Sequence, residues 1–154
     1  MATVRLLFII DENAETSRLL RQSTELIHYL QAETGLLHIV DPGDISPASP
    51  YYDDIMEQFQ RRGYRFLHQM HRYIPTAPGA DYLRISRYPD RMIAAVANLF
   101  SADYIIMGNS PSWLENGQTL PEFLDKLVRL SRVPVLTFRD IQPAPAISYP
   151  LFYN

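Results

Sequence analysis

The residues best suited to chemistry lie where apolar runs end. Asp11 follows the run Leu6–Ile10, Val40 and Asp41 close a second run, and Met107-Gly108-Asn109-Ser110 closes a third. A glycine at such a position lets the backbone approach an anion closely, and the N–H groups after it can donate to phosphate oxygens. Asn109, Ser110 and Ser112 add short polar donors beside Gly108. Farther on, Gly117-Gln118-Thr119 supplies a glycine and a hydroxyl, and Arg84, Arg87 and Arg91 supply positive charge. Together these residues could form an anion site. The competing reading makes 109–119 a solvent-facing loop with Asn116-Gly117 as a simple turn.

Other constellations are weaker. His68 and His71 are three apart on a helical stretch, but no third or fourth metal ligand accompanies them. The segment 61–72 gathers four arginines and two histidines with interleaved aromatics. Asp53, Asp54 and Glu57 dilute it, so a solvated helix face is favoured over a nucleic-acid surface. His38 lies inside an apolar run and reads as a hydrogen-bonded core histidine. Trp113 sits beside Pro111 without an evident core role, as a lid or contact residue. No nucleophile elbow, Walker lysine loop or paired histidine–carboxylate motif is present, so no enzyme activity is expected.

The 154 residues carry a net charge of -3, are 47% apolar and 20% charged, and contain no cysteine. That composition is globular, and the acidic balance argues against nucleic acid as a partner. The lack of thiols excludes a disulfide framework and a Cys-based zinc site. No apolar run approaches the roughly 20 residues that cross a bilayer, and no signal peptide is evident. The expectation is a cytoplasmic protein without membrane attachment.

The elements that must position these residues are strands at Val4–Ile10, Leu36–Val40, Asp103–Met107 and Val133–Phe138. These runs are apolar on both faces, as in a parallel sheet covered by helices. A fifth strand, Tyr82–Ser86, alternates and suits an edge. Helical periodicity covers 14–33, with Asn13 as N-cap and Gly35 as stop. It continues over 53–73 with Gly63 as a weak point, over 90–100, and over 120–131 with Pro121 in its first turn. The order β-α-β-α-β-α-β-α-β predicts an α/β fold, a five-stranded parallel doubly wound sheet of Rossmann-like type. Ligands of such sheets bind beyond the C-terminal strand ends, where strand order reverses. Residues 41–52 form a long proline-rich loop, and 1–140 form one domain. The tail 141–154 is rich in proline and aromatic residues, and needs a surface to cover on this subunit or a partner.

Several stretches resemble the universal stress protein family. Leu6-Leu7-Phe8-Ile9-Ile10-Asp11 looks like its opening strand, and Gly35-Leu36-Leu37-His38-Ile39-Val40-Asp41-Pro42 is similar to its second. The likeness continues through Ala102-Asp103-Tyr104-Ile105-Ile106-Met107-Gly108 to Val133-Pro134-Val135-Leu136, covering essentially 3–140. The resemblance implies an adenine-nucleotide alpha-hydrolase-like fold and a homodimer paired through the last strand, Val133–Phe138, here with the tail alongside. In the family's ATP-binding members a glycine ends the fourth strand. After two intervening residues comes a second glycine, and after nine more intervening residues a third, followed by a hydroxyl residue. Here only Gly108 matches, and Pro111, Pro121 and Glu122 stand at the other positions. Proline has no N–H to donate, and a carboxylate repels a bound anion. The family's glycine after the third strand is Arg87, a long side chain that would partly fill the pocket. Asp11 matches the aspartate at the adenine–ribose end; its alternative role is to cap the first helix.

The resemblance therefore implies a non-enzymatic stress-response or signalling homodimer with no cofactor, not binding ATP in the family mode. The alternative is a sensor of AMP, ATP or another anion. Its site would draw on Asp11, Val40, Met107, Gly108, Asn109, Ser110 and Gly117.

Overall fold

The computed structural model describes residues 3–114, 117–138 and 150–153. Strands β1 (Arg5–Ile10), β2 (Glu33–Val40), β3 (Asp81–Ile85), β4 (Tyr104–Met107) and β5 (Val135–Phe138) alternate with four helices. The helices are α1 (Ala14–Leu30), α2 (Tyr52–Met70), α3 (Pro89–Phe100) and α4 (Leu120–Ser131). A further strand, β6 (Pro150–Tyr153), completes a sheet ordered β3-β2-β1-β4-β5-β6. The five-stranded parallel doubly wound sheet is as the sequence predicts, with β3 at one edge. The addition is β6, which pairs antiparallel to β5, setting Val135 opposite Tyr153 and Phe138 opposite Pro150. The sheet thus extends past residue 140 into the tail. The neighbour of β5 that the family resemblance assigns to a partner's strand is here the chain's own.

Alternation along each strand divides the core into two layers. Leu7, Ile9, Leu37, Ile105 and Val135 pack with Phe100 of α3 and Phe123 and Leu127 of α4. Leu6, Phe8, Leu36, Ile106 and Leu136 pack with Leu19 and Leu20 of α1 and Leu67 of α2. Both faces of the sheet are therefore dry, which is why its strands read as continuous apolar runs.

Two glycine expectations are corrected. Gly35 does not stop α1; it lies within β2. The helix ends instead at Gln31, a left-handed residue at φ 49°, whose N–H meets the carbonyls of Ile27 and His28. What Gly35 provides is room: a Cβ there would stand 3.2 Å from the Phe100 ring. Nor is Gly63 merely a weak point in α2. A Cβ there would come within 2.5 Å of Leu83, so its absence lets α2 lie close on β3.

Strand order reverses between β1 and β4. The ends of those strands bring Asp11 and Gly108 together, as the switch-point rule requires.

Candidate functional site

Asn13 caps α1, its side chain accepting from the N–H groups of Glu15 at 3.0 Å and Thr16 at 3.2 Å. Asp11 is therefore not the cap. Its backbone is clipped to Thr16, whose hydroxyl accepts from the Asp11 N–H at 2.9 Å and donates to its carbonyl at 2.5 Å. That clip leaves the Asp11 carboxylate facing the loop after β4. One carboxylate oxygen accepts from the Ser112 N–H at 2.6 Å and the other from the Ser112 hydroxyl at 2.8 Å.

Glu15, in the first turn of α1, reaches the same loop and accepts from the Asn109 N–H at 2.7 Å. Glycine at 108 leaves that carboxylate its place: a Cβ there would lie 2.6 Å from the Glu15 carboxylate oxygen. Asn13 adds a long contact, its side-chain N–H to the Ser110 carbonyl at 3.5 Å.

The loop then turns Trp113 inward. Its indole is only 8% exposed and packs on Phe123 with ring centroids 5.0 Å apart, joining the core that holds Ile9 and Met107. Trp113 is thus a core residue. Its Nε1 is buried without a hydrogen-bond partner. With the indole in place, the space among Asp11, Glu15, Met107, Gly108, Ser110 and Trp113 is about 20 Å³. That is room for roughly one water molecule. A larger crevice of about 270 Å³ opens beside it, bounded by Asp11, His38, Val40, Phe59, Arg62 and Trp113.

His38 lines that crevice from β2 and is 3% exposed. Its Nδ1 lies 3.2 Å from the Ile10 carbonyl, which only accepts, so the proton sits on Nδ1. Nε2 has no hydrogen-bond partner and faces Glu12 at 3.8 Å. Burial lowers the His38 pKa from 6.5, outweighing that carbonyl and the charge of Glu12. As pH falls, the unfolded chain takes up this proton first, so stability is full above about 6.5 and declines below it. Thermal melts between about pH 7 and pH 5 should show a steeper loss for the wild type than for His38→Gln. Equal slopes would remove His38 as the cause.

Of the residues expected from sequence, Asp11, Met107, Gly108 and Ser110 meet at the switch point, and Asn109 contributes its N–H. Val40 lies in the adjoining crevice, and Gly117 lines neither. Gly117 takes φ 82° in a turn before Thr119, whose hydroxyl caps α4 by accepting from the Glu122 N–H. The partner of Gly117 in the expected turn, Asn116, lies outside the described residues.

The arginines do not converge on the site. Arg87 donates to the Gly43 carbonyl, tethering the loop after β2 and leaving the switch-point space to Trp113. Arg84 and Arg91 lie over the rings of Tyr82 and Tyr88. On α2, Arg61 pairs with Glu57 and Arg62 with Glu12. His71 bonds Asp81 at 2.7 Å, and among the described residues no group of acidic or histidine side chains could hold a metal. Glu15, Thr16 and the inward turn of Trp113 escaped the sequence reading. The one available signal was the N-cap at Asn13, which places Glu15 in the first helical turn.

A doubly wound parallel sheet with a crevice at its switch point defines a Rossmann-like α/β domain. Within that type, the chain belongs to the universal stress protein family, whose model matches residues 4–139. No curated protein matches it. Among solved structures, it is similar to a universal stress protein family member from Burkholderia pseudomallei, at 20% identity and TM-score 0.61. That match covers 88% of this chain and 95% of the other. UspA from Lactobacillus plantarum matches at 15% identity and TM-score 0.64, covering 90% and 99%. The universal stress protein from Archaeoglobus fulgidus in complex with dAMP matches at 14% identity and TM-score 0.55, covering 89% and 98%. These likenesses establish the shared fold. Among the described residues no helix is long and apolar enough to cross a membrane.

Proposed function

We propose that this member of the family is a cytoplasmic, non-enzymatic stress-response or signalling protein that does not hold ATP in the family's manner. The observation that carries this reading is the closed switch point: Trp113 leaves about 20 Å³ there. Pro111 and Pro121 also remove N–H groups from positions where the family's phosphate loop has glycines. Thermal melting with ATP, ADP and AMP, with and without magnesium, provides the test. A ligand at a hundred times its Kd would stabilise the protein by about 2.7 kcal/mol. No shift is expected up to millimolar nucleotide. A saturable shift at micromolar concentration would overturn the reading.

A nucleotide or anion sensor is the second reading. It is favoured by the crevice of about 270 Å³ beside Val40 and by the dAMP complex of the Archaeoglobus fulgidus protein. It requires ligand to enter without the phosphate donors of the loop.

The protein acts, on the first reading, as a homodimer through the sheet edge that the tail strand β6 forms beside β5. Exposed backbone donors and acceptors at a sheet edge favour pairing with another strand. Sedimentation at micromolar concentration should show a dimer that weakens when 141–154 are deleted. A dimer unchanged by the deletion would rule out the tail's part in it.

A further inference from the structure

The loop after β4 presents two backbone N–H groups beside the switch point, and each meets a carboxylate. Asn109 donates to Glu15 at 2.7 Å and Ser112 to Asp11 at 2.6 Å, with the Ser112 hydroxyl adding a third donor at 2.8 Å. These short distances suit charge-assisted bonds. Both carboxylates are held in place. The backbone of Asp11 is clipped to Thr16 and its carboxylate is bonded twice to Ser112, while Glu15 rides on the first turn of a helix whose N-terminal dipole favours negative charge. Gly108 keeps open the space that the Glu15 carboxylate enters.

We propose that Glu15 and Asp11 are resident anions that determine what the site rejects. In this arrangement the loop 108–112 is an oxyanion cradle filled by the chain's own carboxylates. A free tetrahedral oxyanion, such as inorganic phosphate or a nucleotide's phosphate, is excluded because its donors are engaged and two like charges face it. This inference rests on the reading that the chain does not hold nucleotide phosphates, and names the residues responsible. The missing N–H groups at Pro111 and Pro121 are a separate obstacle, since Asn109 and Ser112 retain theirs.

The test is calorimetric titration of the full chain with inorganic phosphate, comparing wild type, Glu15→Ala and the double variant Asp11→Ala/Glu15→Ala. Alanine suits the first turn of a helix, so Glu15→Ala keeps α1 even if the double variant fails to fold. The wild type should be silent. The folded variants should gain affinity for phosphate of about tenfold or more. In them the Asn109 amide resonance, and in the double variant that of Ser112 too, should move on titration. Added salt should weaken the gain. Folded variants as silent as the wild type, with both amides unmoved, would overturn the resident-anion inference and leave the functional reading standing. A wild type that binds phosphate, with variants binding tighter, would overturn the exclusion and the functional reading alike. Equal binding by all three would sink both.

Discussion

Replacing Trp113 with alanine should lower the unfolding free energy by about 3–5 kcal/mol, the usual loss for truncating a large buried aromatic side chain. The indole is 8% exposed and packs at a tilt against Phe123 in the first turn of α4, so its removal leaves a cavity between the loop and the sheet. A domain of ordinary stability, about 5–15 kcal/mol, would lose a large share of it. Trp113→Phe separates packing from the polar atom. It keeps an aromatic body and removes the Nε1–H that has no partner, so its cost should stay below about 1.5 kcal/mol. Urea unfolding of the two variants checks this. Near-equal losses would mean that the indole's own shape is required, and two small losses would mean that Trp113 is not a core residue.

The second large effect is expected at Gly108. A Cβ there would lie 2.6 Å from a Glu15 oxygen and 2.9 Å from its carboxyl carbon. Gly108→Ala must therefore displace a carboxylate bonded to the Asn109 N–H. The overlap itself is relieved by moving the tip of a flexible side chain, so the cost, about 1.5–3 kcal/mol, is that of the weakened charged hydrogen bond. In a Glu15→Ala background the same substitution meets no carboxylate and should be far milder. A double-mutant cycle by urea denaturation should give a coupling of about 0.5–3 kcal/mol. Additive effects would show that Gly108 is glycine for some other reason.

Most of the framework could be read from the sequence because its signals are local. The apolar runs of β1 and β4, the periodicity of α1–α4 and the cap at Asn13 each reflect residues close together in the chain. The alternation in Tyr82–Ser86 pointed correctly to an edge strand. Strand β6 was hidden because it is four residues long and opens on Pro150. Proline is tolerated at the first position of a strand, yet in sequence it reads as an interruption. The site was only half legible. Asp11 and Gly108 lie at strand ends and follow from the switch-point rule. Their partners do not: Asp11 and Ser112 are 101 positions apart, and Glu15 and Asn109 are 94 apart. Nothing local marks a carboxylate that will meet a distant N–H. Trp113 misled for the same reason, since Phe123, the ring it packs on, belongs to the next helix.

The closed switch point is tested most directly by following the backbone amide resonances of Asn109 and Ser112 while ATP is added to the full-length wild-type protein. Both amides are bonded to the chain's own carboxylates, so neither should move up to millimolar ATP. Saturable movement of both at micromolar ATP would show that phosphate displaces Glu15 and Asp11, and would contradict a site closed by its own residues.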